Sequence, residues 1–280
     1  MTSVEHLGLR AEVVRAVRAF FDARGFVEVE TPVRIPAPAP EPHIDCPSAP
    51  PWFLRASPEL QMKKLLAAGM ERIYQIGPCF RDGERGERHS PEFTMLEWYR
   101  RGETYSAIAD DLSALLASLG LGAAGRAAAK ITVRDAYARF AGWDPWTAWD
   151  ADRFDFDMAT KIEPALAGIG GGVFLSDYPA QAASLARLRG DVAERWEFYW
   201  DGVELANCFS ELCDGGEQRR RFESARAERR ALGESDYPLD EGFLETVGSM
   251  GEAAGVALGV DRLVAVLLGE RGISSVMAPE

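Results

Sequence analysis

The chain is poor in the residues that build metal sites and disulfide frameworks. It has three histidines and four cysteines in 280 residues, and Cys46, Cys79, Cys208 and Cys213 show no CxxC or metal-ligand spacing. We therefore expect reduced thiols in a cytoplasmic protein and no histidine-rich zinc site. No signal-peptide pattern and no apolar run near the length of a membrane span are present, so we expect no membrane association.

Basic residues are also in the minority. Lys and Arg total 31 against 44 Asp and Glu, which gives a formal net charge of −13. Nucleic-acid binders usually carry a basic surface, so this balance argues against a large tRNA interface without excluding a local basic patch. An arginine-rich helix predicted over 217–233 is a candidate for such a patch. A solvated face balanced by its own glutamates explains this helix equally well.

The composition suits one sizeable domain over residues 1–280, because 47% of the residues are hydrophobic. Apolar residues at helical spacing predict a helix over 7–24. A second helix is predicted to begin with Ser57 as its N-cap and Pro58 at its first helical position. Three tryptophans are interpreted as packing in an insertion, with no chemical role assigned to them: Trp143, Trp146 and Trp149.

The most informative stretch runs from Phe80 to Tyr99. An apolar run ends at Arg81, a loop rich in charge and glycine follows, and a second alternating run then returns. This pattern predicts an antiparallel hairpin with a long loop, in which Phe93, Glu97 and Tyr99 share one face. A ring, a carboxylate and a phenol beside an arginine are unusual for a sheet interior. The alternative is a hairpin with an ordinary charged solvent face.

A second hairpin is predicted over Arg195–Glu211, because two aromatic or apolar strands flank an Asp-Gly turn at 201–202. Glu197, Glu204 and Glu211 recur along it at equal spacing. Carboxylates suit Mg²⁺, which takes a few carboxylate oxygens, and they suit a buried ammonium, which needs an anionic partner. Solvent-facing glutamates on an edge hairpin are the alternative.

Together these segments resemble the catalytic domain of the class II aminoacyl-tRNA synthetases in its lysyl form. The sequence GFVEVETP at 25–32 fits motif 1, the stretch 80–99 fits motif 2, and GVALGVDR at 255–262 fits motif 3. Three motifs in the right order form a specific signal. The resemblance implies an α+β fold with an antiparallel sheet flanked by helices, and a homodimer built on the first helix and strand.

Motif 1 begins close to the first residue, so we expect no OB-fold anticodon-binding domain before it. The chain therefore resembles the elongation factor P–lysine ligases, which are lysyl-type catalytic domains. That likeness implies ATP-dependent, magnesium-assisted activation of lysine or (R)-β-lysine, followed by transfer to a lysine side chain of elongation factor P without tRNA. A free-standing synthetase paralogue that charges tRNA or a small molecule remains an alternative. An inactive paralogue that serves as a binding module is another.

The resemblance also implies site residues. Arg81 would bridge the substrate carboxylate and the α-phosphate, and Arg262 would bind the γ-phosphate. Magnesium would lie on Glu197 and Glu204. The amino acid would meet six residues: Ser57, Glu59, Glu97, Tyr99, Glu211 and Ala257. Besides the two arginines, ATP would meet a further five: Glu84, His89, Phe93, Asn207 and Gly259.

Three positions modify that assignment. Gly83 stands where the family usually has a glutamate, so the residue that reads the adenine edge stays open, with Glu84 beside it. Glu59 lies at a predicted helix start, where a carboxylate is favourable without any substrate. Ala257 replaces the glycine that is usual in lysyl-tRNA synthetases. Our hypothesis is that its methyl group sets a preference for (R)-β-lysine over α-lysine.

Overall fold

The computed structural model describes residues 3–121 and 128–279. The helices are α1 Val4–Asp22, α2 Glu59–Ala67, α3 Tyr105–Ser118, α4 Val133–Ala136, α5 Ala151–Asp157, α6 Glu163–Ile169, α7 Gly215–Leu232, α8 Glu241–Thr246 and α9 Val260–Leu267. The strands are β1 Val27–Glu28, β2 Arg34–Ile35, β3 Ser48–Ala49, β4 Trp52–Leu54, β5 Arg72–Phe80, β6 Glu92–Arg101, β7 Ala129–Thr132, β8 Gly172–Pro179, β9 Leu188–Arg189, β10 Val192–Trp200, β11 Val203–Ser210 and β12 Ala253–Gly259. The glycine- and alanine-rich connection that the sequence predicts over 121–129 lies mostly outside the described ranges. None of the described helices is long and apolar enough to cross a membrane.

The chain forms two compact units. The first contains residues 1–102, 212–253 and 257–280, and the second contains residues 103–211 and 254–256. Motifs 1 and 2 therefore belong to the first unit, and the glutamate-bearing hairpin belongs to the second. That the whole chain acts as one catalytic domain stays a prediction.

In the first unit, β1 pairs in parallel with β5, and β5 pairs antiparallel with β6. The predicted motif 2 hairpin is thus confirmed. Helix α1 begins where the Ser3 side chain accepts a hydrogen bond from the backbone of His6. It buries Phe21, whose ring stacks on Tyr74 of β5 at 4.8 Å between centroids. Gly25 follows the helix with a φ of +73°, which an L side chain rarely adopts.

The start of α2 differs from the sequence prediction by one residue. The helix begins at Glu59, so Pro58 occupies the N-cap position and Ser57 precedes it. Proline has no side-chain acceptor for a cap, and the hydroxyl of Ser57 instead accepts the Glu59 backbone N–H at 3.0 Å. The capping interaction that the sequence predicts is present, but it is made from outside the cap position.

In the second unit the strand order is β11-β10-β8-β7, with β9 also paired to β10. All of these pairs are antiparallel except β7 with β8. The sheet is covered by a core in which Tyr137 stacks on Phe154 at 4.7 Å. The three tryptophans pack against this core, as expected. The α+β class with a largely antiparallel sheet flanked by helices is confirmed.

The arginines of α7 are held within the first unit. Arg220 and Arg221 pair with Glu217 of the same helix, as the balanced-face alternative expects. Arg219 and Arg226 pair instead with residues outside the helix, Glu241 and Asp236. These pairs favour a balanced face over a nucleic-acid patch. Arg229 differs from them because its side chain is fully buried. Its guanidinium donates to two backbone carbonyls of the proline-rich loop, which spans residues 36–51, and to a carboxylate there.

Candidate active site

Four of the predicted substrate-binding residues come together in the first unit. Glu97 on β6 is 1% exposed. One of its oxygens accepts a hydrogen bond from the hydroxyl of Ser57 at 2.6 Å, and the other accepts one from the phenol of Tyr99 at 2.8 Å. Glu59, at the start of α2, is also buried. Tyr99, two residues further along the strand, and Ser57, which precedes α2, thus both donate to the carboxylate of Glu97.

The electrostatics of Glu97 are unusual for a carboxylate. Burial raises its pKa, the charge of Glu59 raises it further, and the net effect is a pKa of about 7. The hydrogen bonds from Ser57 and Tyr99 oppose this shift, as does the charge of Lys63. Glu97 therefore titrates near neutrality, and a cation placed beside it would favour its charged form.

Lys63 is a site residue that the sequence analysis missed. Its side chain is 1% exposed, and its ammonium lies 2.5 Å from a carboxylate oxygen of Glu59, one helical turn away. Glu59 is therefore already held by a resident cation. The signal was present, because a glutamate followed four residues later by a lysine is a favourable pair on a helix. Nothing in that spacing indicates that the pair is buried.

A cavity lies beside this cluster. Its volume is about 300 Å³, including its opening to solvent. Ser57, Glu59 and Leu60 line one side, and Glu41 and Cys46 of the proline-rich loop line the other. The sequence analysis assigned no chemistry to that loop. The structure makes it a wall of the cavity beside the predicted substrate-binding residues.

The motif 2 loop brings together residues predicted to bind ATP. The Arg81 guanidinium lies over the ring of Phe93, 5.2 Å from its centroid, and 3.6 Å from the carboxylate of Glu84. Gly83 has a φ of +75°, a backbone conformation in which a glutamate at this position would be strained. Glu84 pairs with Arg81, and the residue that reads the adenine edge stays open.

Arg81 has a feature that indicates an anionic ligand. Its Nε atom is buried and has no hydrogen-bond partner in the described part of the chain. Buried donors are nearly always paired in native proteins, so an orphan of this kind calls for an explanation. A phosphate or carboxylate oxygen beside Arg81 would satisfy it, since the guanidinium fork binds oxyanions well. The donor thus fits ATP stacked on Phe93.

Motif 3 delivers a second arginine to the same loop. Gly259 precedes α9, and Arg262 lies in the first turn of that helix. The guanidinium of Arg262 lies 2.8 Å from the Nε2 atom of His89 and donates to the backbone oxygen of Arg88 at 3.3 Å. Burial lowers the pKa of His89, and the charge of Arg262 lowers it further. A neutral imidazole can accept a hydrogen bond from the arginine.

In the second unit the predicted hairpin carries its polar residues on one face. Glu197 lies opposite Asn207, and Tyr199 lies opposite Glu204. Arg195, two residues before Glu197, donates to its carboxylate at 2.5 Å and to the amide oxygen of Asn207 at 3.2 Å. The carboxylate of Glu197 also accepts a hydrogen bond from the phenol of Tyr199 at 2.6 Å. The sequence analysis gave Arg195 no role, and the structure places it at the centre of this face.

A bulge decides which residues share that face. The register shifts by one residue between Phe198 and Tyr199, so that Phe198 pairs with Ala206 and leaves Leu205 as the extra residue of β11. Side chains alternate along a strand, and an extra residue inverts the alternation beyond it. The bulge therefore brings Asn207 onto the same face as Glu204 and Glu197.

The donor set of this face is small for a metal site. In residues 3–121 and 128–279, no group of three or more His, Cys, Asp and Glu side chains is arranged to hold a metal ion. Two carboxylates and an amide oxygen nevertheless fit Mg²⁺ bound with a nucleotide, because this ion keeps several waters and binds phosphate oxygens. Glu197 would then exchange part of its contact with Arg195 for the ion.

Two further predicted residues are carried by other segments of the chain. Glu211 follows β11 in the second unit, where it is 1% exposed and pairs with Ala186 in an isolated bridge. Ala257 is half-buried in β12, between the buried Val256 and Leu258. By strand alternation its methyl group points to the face opposite those two neighbours.

Comparison with known proteins defines the class. A family model described as tRNA synthetases class II (D, K and N) matches residues 2–278. The chain belongs to this family.

Comparison with individual proteins of the family is more specific. Proteins named elongation factor P–(R)-β-lysine ligase from Proteus mirabilis and Vibrio cholerae are each 36% identical to the chain, and the one from Photorhabdus laumondii is 37% identical. Each alignment covers 99% of this chain and 95% of the relative. The similarity thus extends over nearly the whole length of both chains and is not confined to the three motifs.

Proposed function

We propose that the protein is an ATP-dependent ligase that activates (R)-β-lysine, or lysine, and transfers it to a lysine side chain of elongation factor P. The near full-length similarity to ligases of that name supports the acceptor and the amino acid. The observation that carries the chemistry is the buried, unpartnered Nε of Arg81 beside the ring of Phe93. This pair suits a nucleotide whose base stacks on the ring and whose phosphate meets the arginine.

Activation joins the amino acid to AMP. The substrate carboxylate attacks the α-phosphorus of ATP, the bond to the β-phosphate oxygen breaks, and pyrophosphate leaves. No general base is needed, because a carboxylate is already an anion at neutral pH. Catalysis then rests on position and charge: Arg81 holds the carboxylate and the α-phosphate, and Arg262 holds the γ-phosphate. His89, Glu84, Asn207 and Gly259 complete the proposed nucleotide contacts.

The acidic residues give the site its selectivity for a cationic amino acid. Glu97, with Ser57 and Tyr99 bound to it, would take one ammonium of the substrate, next to the Glu59–Lys63 pair. Glu211 would take the other ammonium. Each buried ammonium needs such an anionic partner, because its desolvation is otherwise costly. Ala257 would set the preference between the two isomers.

Transfer and metal binding complete the reaction. The neutral amine of the acceptor lysine attacks the carbonyl carbon of the adenylate, an amide bond forms, AMP leaves with its phosphate oxygen, and the proton lost from the amine passes to solvent. Glu197 and Glu204 would hold Mg²⁺, which neutralises charge on the phosphates when it is bound. We also propose that the enzyme acts in the cytoplasm, where translation factors work, and that it is a homodimer built on α1 and β1, where Val4 and Val27 are exposed.

The test is the intact mass of elongation factor P after incubation with the enzyme, Mg-ATP and (R)-β-lysine, with bulk tRNA in the same tube. The expected result is a gain of one lysyl unit on the factor, lost with Arg81→Ala and kept with Arg15→Ala, an exposed arginine of α1. Pyrophosphate release with acylated tRNA and an unmodified factor would favour the free-standing synthetase. No release at all would favour the inactive binding module.

A further inference from the structure

Three side chains from distant parts of the first unit form a closed triangle. The Nη1 atom of Arg10 on α1 lies 2.6 Å from one carboxylate oxygen of Asp261 on α9, an ion-pair contact that lacks the angles of a hydrogen bond. Its guanidinium also donates to the hydroxyl of Thr94 on β6 at 2.8 Å. The other oxygen of Asp261 accepts the backbone N–H of Thr94 at 2.7 Å. The side chain of Asp261 is 4% exposed and that of Arg10 is 19% exposed.

Thr94 and Asp261, the other two members of the triangle, are each adjacent in sequence to a residue predicted to bind ATP. Thr94 directly follows Phe93, and Asp261 directly precedes Arg262. The hydrogen bond from the Thr94 backbone N–H to the Asp261 carboxylate therefore ties the motif 2 strand to the start of the motif 3 helix. A carboxylate in the first turn of α9 is favourable in itself, but that effect does not account for an arginine supplied by α1.

Arg10 suits this place because of its shape. A planar guanidinium can meet a carboxylate and a hydroxyl at the same time, and it holds them in a fixed relative orientation. The pair with Asp261 is well shielded from water, so its attraction is screened less than that of an exposed ion pair. A lysine at this position can reach one partner but cannot reproduce the two-pronged contact.

We propose that Arg10 is a positioning residue for the nucleotide site, which acts through Asp261 and Thr94 to hold Arg262 and Phe93 in place. The inference rests on the proposed function in one respect, namely that Phe93 and Arg262 bind ATP. It makes no use of the acceptor. It predicts that α1, which makes no proposed contact with substrate, controls affinity for ATP and leaves affinity for the amino acid unchanged.

The experiment compares Arg10→Met with Arg15→Met, an exposed arginine on the same helix. Binding of Mg-ATP and of lysine is measured separately by calorimetry, together with the thermal midpoint. We expect Arg10→Met to weaken ATP binding about 10-fold and to leave lysine binding within about twofold, because coupled neighbours interact by up to a few kcal/mol. Arg10→Lys should recover part of the loss, and Arg15→Met should match the wild type.

Other outcomes overturn the inference. Equal weakening of both ligands, or a lower thermal midpoint with unchanged affinities, would mean that Arg10 only stabilises the fold. Should Arg10→Met fail to fold, Arg10→Lys and Asp261→Asn decide the question, since each retains one hydrogen bond of the triangle; unchanged ATP affinity in both would refute it. A wild-type chain that binds ATP but leaves elongation factor P unmodified would defeat the proposed function alone.

Discussion

The buried carboxylate of Glu97 leads to a prediction about stability that needs no substrate. Its pKa is raised from an ordinary value of 4.5 to about 7 by burial and by the charge of Glu59. A carboxyl whose pKa is higher in the folded state keeps its proton in that state after the unfolded chain has lost it. Stability from this group is therefore fully present below pH 4.5 and is lost as the pH rises through 7.

The size of the effect follows from the same values. A pKa difference of one corresponds to about 1.4 kcal/mol, so between pH 5 and pH 8 Glu97 should remove about 2 to 3 kcal/mol from the free energy of unfolding. Glu97→Gln lacks the titration. The two hydroxyls of Ser57 and Tyr99 that meet the carboxylate are present in both proteins, so their contribution largely cancels when each protein is compared with itself at two pH values.

The assay is urea unfolding of the wild type and of Glu97→Gln at pH 5, 6, 7 and 8. Between pH 5 and pH 8, the free energy of unfolding of the variant should rise relative to that of the wild type by about 2 to 3 kcal/mol. Most of this change should occur below pH 7. Glu92→Gln, on the exposed start of the same strand, serves as the control and should run parallel to the wild type. If the free energy of unfolding of Glu97→Gln also changed with pH in parallel with that of the wild type, Glu97 would not titrate near neutrality and the argument would fail.

Three further substitutions test other parts of the structure. Gly202 has a φ of +77°, and Gly202→Ala places a methyl group 2.6 Å from the methyl carbon of Ala167 on α6. We expect this change to lower the free energy of unfolding in urea by about 2 to 3 kcal/mol. Gly190→Ala, where φ is also positive but no atom is close, should lower it by only about 1 kcal/mol, and equal losses would exclude the clash. Arg229→Met should cost about 3 kcal/mol, because it removes a fully buried guanidinium and leaves half-buried carbonyls and a carboxylate without their donor, and the exposed Arg230→Met should change stability by less than about 0.5 kcal/mol. Ala257→Gly should shift the ratio of pyrophosphate exchange with (R)-β-lysine to that with α-lysine by about 10-fold; an unchanged ratio would remove Ala257 from isomer choice.

Local patterns in the sequence predicted much of the fold. The alternation of Phe93, Glu97 and Tyr99 identified both the motif 2 hairpin and the face on which its polar residues lie. The Asp-Gly pair at 201–202 identified the second hairpin, and both residues adopt the positive φ that such a turn requires. These features depend on residues close together in the chain, so that periodicity and turn chemistry suffice to find them.

Local sequence patterns could not predict the charged contacts of the candidate site. Lys63, Arg195 and Arg10 are ordinary surface-type residues in the sequence, and only burial against distant partners gives them a role. Arg10 meets a residue 251 positions away, and no spacing rule links the two. The pKa of Glu97 likewise arises from burial and from a neighbour on another element, and a composition or motif records neither of these.

The bulge at Leu205 gives the hairpin an unusual kind of sensitivity. Because one extra residue inverts the alternation, removing it would turn Asn207 and every later side chain of β11 to the opposite face, while every chemical group remained in the sequence. Replacing Leu205 by another apolar residue would keep the face intact. Chain length in this strand therefore determines which groups share a face with Glu197, and a one-residue deletion here should be more damaging than many substitutions.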